Sequence, residues 1–213
     1  MAFLFRAESR RLWSGVCSAC LLALALSALL SACSRSDDPA SPKFKGLDIT
    51  GVDYGKDFLL TDFDGRERRL GDFKGQVVML YFGFVQCPDV CPTALTRAVE
   101  TKRLLGADGE RLQVIFVTVD PERDSAEILK AYMAAFDPSF LALHGNAERT
   151  RETAANFKVY YRKIPTGSSY TMDHSAMSYV FDTQGRLRVV LRHEQTAVDY
   201  AHDIALLLKA PSF

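Results

Sequence analysis

The feature that most constrains the fold is a regular alternation of apolar strands and amphipathic helices between residues 77 and 157. Val77–Phe82 is a short run of β-branched and aromatic residues, which is typical of a strand buried on both faces. Downstream of it, the patterns predict helix 92–105, strand 114–119, helix 125–136, strand 140–143 and helix 147–157. This βαβαβα order indicates a partly parallel sheet covered by helices.

Further elements flank this central unit. Residues 56–70 predict an N-terminal β-hairpin that turns at Asp64-Gly65, a strong turn signal. The remaining patterns predict strands at 159–161, 176–181 and 187–191, the last two joined at Gln184-Gly185, and a closing helix at 197–208. The simplest architecture that holds them is an α/β thioredoxin-like fold, with a central mixed sheet flanked by helices.

Two cysteines, Cys87 and Cys91, lie where strand 77–84 gives way to the first helix. Amide groups and the positive end of the helix dipole stabilise thiolates there, so we expect a downward pKa shift for both sulfurs. Their Cα atoms are expected about 6 Å apart, which permits a disulfide without favouring one. The Cys-x-x-Cys spacing of dithiol oxidoreductases is absent, which favours metal binding over disulfide exchange. A stabilising disulfide or two buried thiols are the structural alternatives.

The N-terminal residues are typical of a targeting segment. Arginines at positions 6, 10 and 11 precede an apolar stretch from Leu12 to Leu30, and the following Leu30-Ser-Ala-Cys33 resembles the lipobox of bacterial lipoproteins. The resemblance implies a signal peptide at 1–32, lipidation of Cys33, a flexible tether over 33–46 and a folded domain at 47–213. An uncleaved membrane helix is the alternative. Both interpretations place the domain outside the cytoplasm, and the lipid-anchored one places it on the cell membrane facing the periplasm.

Cysteine is too scarce in this chain to act as a structural scaffold. Of five cysteines, Cys17 and Cys20 lie in the leader and Cys33 is the lipidation candidate, so Cys87 and Cys91 are the only thiols in the predicted domain. An isolated pair in an oxidising compartment indicates a reactive or metal-binding site. The formal net charge of zero gives no indication of a nucleic-acid partner.

A third metal ligand is sought among four histidines, at positions 144, 174, 193 and 202. His174 is distinctive because it ends a polar segment that leads into an apolar strand, where a loop is expected to reach over a neighbouring site. Taken alone, such a histidine is more often a hydrogen-bonded surface or turn residue. Asp120, at the end of the neighbouring strand, is expected either beside the thiols or in a turn, and we do not count it as a ligand.

Four motifs, in this order, closely resemble those of the Sco/SenC family of copper proteins. They are Cys-Pro-Asp-Val-Cys-Pro at 87–92, Val-Asp-Pro-Glu-Arg-Asp at 119–124, Val-Tyr-Tyr at 159–161 and Asp-His at 173–174, and the similarity runs from about residue 54 to 208. The resemblance implies a thioredoxin-like fold, copper ligation by Cys87, Cys91 and His174, and a disulfide between Cys87 and Cys91 in the oxidised form. One departure is Val85-Gln86, where many relatives carry Thr-His.

The resemblance also implies a function. The chain is expected to be a metallochaperone that carries one copper ion, Cu(I) or Cu(II), to the copper A centre in subunit II of cytochrome c oxidase. Thiolates favour Cu(I), imidazole serves both oxidation states, and three ligands leave an open position for transfer. An extracytoplasmic thiol reductase and a copper donor are expected as further partners. The alternative is a thiol–disulfide oxidoreductase that uses Cys87 and Cys91 to reduce the acceptor's cysteines.

Overall fold

The computed structural model describes residues 43–209 as one folded unit. The predicted signal peptide, Cys33 and most of the predicted tether lie outside these residues. The backbone amides of Lys45 and Gly46 donate to the buried carboxylate of Asp203, so the folded part includes the last residues of the 33–46 segment. Within residues 43–209, no helix is long and apolar enough to cross a membrane.

Residues 43–209 form ten strands, four α-helices and two short 3₁₀ helices. The strands are β1 (Leu47–Asp48), β2 (Leu60–Asp62), β3 (Glu67–Arg68), β4 (Val77–Gly83), β5 (Leu112–Thr118), β6 (Leu141–His144), β7 (Tyr161–Thr166), β8 (Ser169–His174), β9 (Met177–Phe181) and β10 (Leu187–Arg192). The helices are α1 (Val90–Leu104), α2 (Ala126–Ala134), α3 (Ala147–Asn156) and α4 (Ala197–Lys209).

Eight of the strands form one sheet in the order β1-β10-β9-β4-β5-β6-β2-β3. β4, β5 and β6 are parallel, and every other pairing in the sheet is antiparallel. Helix α1 packs against α4, and α2 contacts β6. The predicted α/β fold with a central mixed sheet flanked by helices is thus confirmed, and β2 and β3 form the predicted N-terminal hairpin.

The strand β4 lies at the centre of the sheet because every one of its residues is apolar or small. All seven residues from Val77 to Gly83 are buried. Burial on both faces is what a continuous apolar run in a parallel, helix-covered sheet requires. The strand therefore provides a rigid support for whatever follows its carboxyl end.

The segment around His174 differs from the prediction. Instead of a strand at 159–161 and a loop that carries His174, β7 and β8 pair with each other in an antiparallel hairpin that turns at Gly167. Most side chains of this hairpin are exposed or half-buried, so it has little of the apolar alternation by which a strand is recognised. The prediction of a loop was wrong because these strands pair outside the main sheet.

Candidate metal centre

The two cysteines lie on either side of the point where α1 begins, just beyond the carboxyl end of β4. A turn follows β4, in which the backbone N–H of Cys87 donates to the carbonyl of Phe84 at 3.3 Å. Helix α1 then begins at Val90 rather than at the predicted residue 92, so Cys91 lies in its first turn. Cys87 thus occupies the loop and Cys91 the helix, and the backbone N–H of Cys91 donates to Cys87 Sγ at 3.4 Å.

His174 reaches the cysteines from the last position of β8. Its Nδ1 lies 3.1 Å from the carbonyl oxygen of Ser175, which can only accept, so Nδ1 carries the hydrogen. The opposite nitrogen, Nε2, lies 3.5 Å from Cys91 Sγ. A backbone carbonyl that fixes the tautomer in this way leaves the Nε2 lone pair directed at the sulfur atoms, as in metal-binding histidines.

The structure therefore brings together the three residues that the resemblance singled out. The sulfur atoms of Cys87 and Cys91 and a ring nitrogen of His174 all lie within 4.8 Å of one another, and no carboxylate belongs to this group among residues 43–209. Both thiols are free. Two sulfur donors and one imidazole form a soft donor set, which suits Cu(I) better than a hard cation.

The two thiols differ in acidity, which corrects the expectation that both pKa values fall. Hydrogen bonds from the Cys91 side chain and from the backbone N–H groups of Asp89 and Cys91 hold the pKa of Cys87 far below its ordinary value, although burial opposes it. The pKa of Cys91 rises instead, because its S–H is bonded to the Cys87 sulfur and because the residue is fully buried. One thiolate beside one thiol is the arrangement expected when two interacting sulfurs share a proton.

Close packing fixes the position of Cys91. A Cβ atom placed on Gly83 would lie 2.8 Å from Cys91 Sγ and 2.7 Å from the ring of Phe116, so only glycine fits there. The hydroxyl of Tyr81 lies 4.0 Å from the same sulfur as a weak donor, and burial is the main reason for its raised pKa. The rings of Tyr81 and Phe84 meet the His174 ring edge to face.

Sequence reasoning did not identify these surrounding residues. Gly83 and Tyr81 belong to the run read as a strand, and their distance from the cysteines depends on how the loop after β4 folds back. Only the alternation of side chains along β4, which places Tyr81 and Gly83 on the same face, could have suggested that they adjoin the site. Phe84 gave no local signal at all.

Asp120 does not belong to the group of the two sulfur atoms and His174. It is buried at the end of β5, where it accepts hydrogen bonds from Arg123 and from the Tyr170 hydroxyl. The neighbouring Asp124 accepts the Thr118 hydroxyl and the backbone N–H of Val85, which attaches the loop that holds Cys87 to β5. Burial raises the pKa of Asp124 above its usual range.

The fold and this arrangement define a thioredoxin-like protein whose candidate site is two cysteines and one histidine at the carboxyl edge of a mixed sheet. The chain belongs to the SCO1/SenC family, whose model matches residues 48–209. A SCO2-like protein of Rickettsia felis is 35% identical over 138 residues, which are 63% of this chain and 67% of that protein.

Solved structures agree with this membership. ScoI of Bradyrhizobium japonicum, described with copper bound, is 35% identical with a TM-score of 0.67, over 72% of this chain and 99% of that one. Apo Sco1 of Thermus thermophilus is 38% identical with a TM-score of 0.70, over 79% and 99% of the two chains. A further structure, 22% identical, supports the fold alone, and its description calls the Sco family one of cytochrome c oxidase assembly proteins.

Proposed function

We propose that this protein is a membrane-anchored metallochaperone that binds one copper ion through Cys87, Cys91 and His174. The observation that carries the proposal is the cluster of two sulfurs and one directed imidazole nitrogen within 4.8 Å. Atoms that share a metal at ordinary bond lengths lie about 3.5–4 Å apart, so only a small closure is needed. The copper-bound state of the Bradyrhizobium relative supports the choice of metal.

The acceptor proposed for the copper is the copper A centre in subunit II of cytochrome c oxidase. The site supports transfer by ligand exchange because its donors differ in accessibility. Cys91 is fully buried, Cys87 is 9% exposed and His174 is half-buried. Incoming cysteine and histidine ligands meet the copper on the side of Cys87 and His174, and Cys91 is the last ligand to leave. An extracytoplasmic reductase keeps the thiols reduced, and a separate donor supplies the copper.

Membrane attachment is the second part of the proposal. It rests on the sequence Leu30-Ser-Ala-Cys33, which would leave a lipidated Cys33 as the first mature residue and tether the domain on the periplasmic side of the cell membrane. Cys33→Ser should abolish the lipid mass on the mature N-terminus and release the protein from the membrane fraction. Unchanged membrane attachment would favour an uncleaved helix instead.

A thiol–disulfide oxidoreductase is the second candidate, and the low pKa of Cys87 favours it. In that reaction the Cys87 thiolate attacks the target disulfide, and Cys91 resolves the mixed disulfide after losing its proton. The target leaves as a dithiol, and the pair becomes a disulfide that an external reductant must reduce.

His174→Ala separates the two functions. The variant should lose most of its capacity to retain Cu(I) and pass it to the soluble domain of subunit II, while it reduces a model disulfide at the wild-type rate. His144→Ala is the matched control, since His144 is also half-buried at a strand end but lies outside the cluster. Equal loss of copper transfer and disulfide exchange in His174→Ala would contradict this division of roles.

A further inference from the structure

Arg123, in the turn between β5 and α2, contacts three separate segments around the candidate site. Its Nη1 donates to the side chain of Gln86 at 3.1 Å and to the backbone carbonyl of Tyr170 at 2.8 Å. Its Nε donates to the carboxylate of Asp120. The guanidinium also stacks over the ring of Tyr170, with its central carbon 3.7 Å from the ring centroid.

The residues that Arg123 contacts lie close in the sequence to Cys87 and His174, or just after β5. Gln86 immediately precedes Cys87, and Tyr170 lies on β8 four residues before His174. Two further hydrogen bonds hold Asp120 in place. Its backbone N–H donates to the Thr118 hydroxyl at 3.0 Å, and its carboxylate accepts a hydrogen bond from the Tyr170 hydroxyl at 2.8 Å. One planar side chain thus joins the loop that holds Cys87, the end of β5 and the strand that holds His174.

The β7–β8 hairpin depends on such side-chain contacts for its orientation. Its two strands pair with each other in a sheet of their own, so no backbone ladder joins them to the eight-stranded sheet. In β8, Met172 is buried in the core and Tyr170 is partly buried against it. Lys163 contributes a second contact, with its Nζ 4.6 Å from the centroid of the Tyr170 ring and bonded to Glu122.

We propose that Arg123 is a positioning residue, which holds the β7–β8 hairpin against the Cys87 loop and so sets the distance from His174 to the two sulfurs. The inference rests on the proposed function where it concerns copper, but the contacts by which Arg123 holds the hairpin belong to the metal-free protein. Arginine suits the role because its fork of donors serves Asp120, Gln86 and Tyr170 at once, whereas a lysine ammonium is a single point charge.

The choice of variant follows from the burial of Asp120. Removing the positive charge altogether would leave a buried, uncompensated carboxylate and could unfold the protein. Arg123→Lys keeps a cation for Asp120 but cannot also bond Gln86 and stack on Tyr170. Arg188→Lys is a matched control. The side chain of Arg188 is 15% exposed, against 17% for Arg123, and it also forms an ion pair with a buried carboxylate, that of Asp182. Asp182 follows β9, which runs antiparallel to β4, so it lies near the amino end of β4, whereas Cys87 lies beyond the carboxyl end.

The first measurement is amide hydrogen exchange in the reduced, metal-free protein. Arg123→Lys should raise exchange across residues 161–174 by about tenfold or more, the change expected from losing one charge-assisted hydrogen bond, and should leave β9 unchanged. Arg188→Lys should leave residues 161–174 at wild-type rates. Tyr170→Leu removes the stacked ring and the hydroxyl bonded to Asp120 but keeps the ion pair of Arg123 with Asp120, and it should reproduce the effect.

The second measurement is X-ray absorption of the Cu(I)-loaded proteins. Arg123→Lys should keep two sulfur ligands with reduced imidazole scattering, and a chelator should remove its copper at about tenfold lower concentration than from the wild type. Wild-type exchange and a full imidazole contribution in Arg123→Lys would overturn the proposal. If the wild type itself retains no copper, the proposed function fails, and the hydrogen-exchange rates alone decide whether Arg123 holds the β7–β8 hairpin.

Discussion

The two cysteines have different roles although they are four residues apart. Cys87 lies in the loop and receives hydrogen bonds from the Cys91 side chain and two backbone amides, while Cys91 is buried next to Gly83 and Tyr81. The sequence predicted where the pair lies but not this asymmetry, because the direction of the hydrogen bond between the sulfurs depends on how the loop folds back over α1.

The asymmetry predicts how many protons copper displaces. At pH 7 the lowered pKa of Cys87 leaves it as a thiolate, and the raised pKa of Cys91 leaves it protonated. Binding of Cu(I) should therefore release about one proton, and copper affinity should rise about tenfold per pH unit near neutrality. Calorimetry in buffers of different ionisation enthalpy measures the number. Release of two protons would show that Cys87 is an ordinary thiol.

Gly83 offers a test of packing at the site. Gly83→Ala places a methyl group 2.8 Å from Cys91 Sγ, so we expect a loss of about 1–3 kcal/mol in the free energy of unfolding, together with weaker copper retention. Gly71→Ala is the control, because a Cβ there meets no atom within 4 Å among the described residues. Urea denaturation and copper titration measure both effects, and equal behaviour of the two variants would contradict the close packing.

At the scale of elements, two hairpin turns share one local design that the sequence could predict. Asp62 and Asp182 each begin a turn in which a glycine three residues later has a positive φ, at Gly65 and Gly185. Each carboxylate accepts hydrogen bonds from backbone N–H groups within its own turn and from the side chain of a nearby arginine. The β7–β8 hairpin also turns at a glycine with a positive φ, Gly167, but no aspartate begins its turn.

These turns predict how stability depends on pH. Although burial opposes it, hydrogen bonds from Arg186, Arg188 and Gln184 lower the pKa of Asp182. A folded-state pKa below the unfolded value means that the stabilisation is present above about pH 4 and is lost as the pH falls toward the folded-state pKa. Asp182→Asn should cost about 2 kcal/mol at pH 7 and flatten the acid limb of a stability profile.

The control for this experiment is Asp64→Asn. Asp64 bonds Lys130 on the surface, with side chains 43% and 60% exposed, so its loss should cost less than about 1 kcal/mol. Denaturant midpoints measured between pH 3 and pH 7 compare the two variants. An Asp182→Asn profile that keeps the full wild-type slope in acid would show that this carboxylate does not contribute to it.

For the whole molecule, sheet topology explains why the site forms where it does. β4 and β5 are parallel, with Gly83 opposite Thr118, so the loops after both strands meet at one edge. That edge followed from the alternating pattern of strands and helices. The pattern could not predict that His174 approaches this edge, because a hairpin outside the main sheet is placed by tertiary contacts. Only the family resemblance identified His174 as a ligand.

The most direct test is the stoichiometry and ligation of copper in the reduced domain, measured by metal analysis and X-ray absorption. We expect one copper with two sulfurs and one imidazole in the wild type. Cys87→Ser and Cys91→Ser should each lose one sulfur and most of the copper, and His174→Ala should lose the imidazole and most of the copper. A wild-type protein that retains no copper, or one whose ligation is unchanged in these variants, would contradict the account.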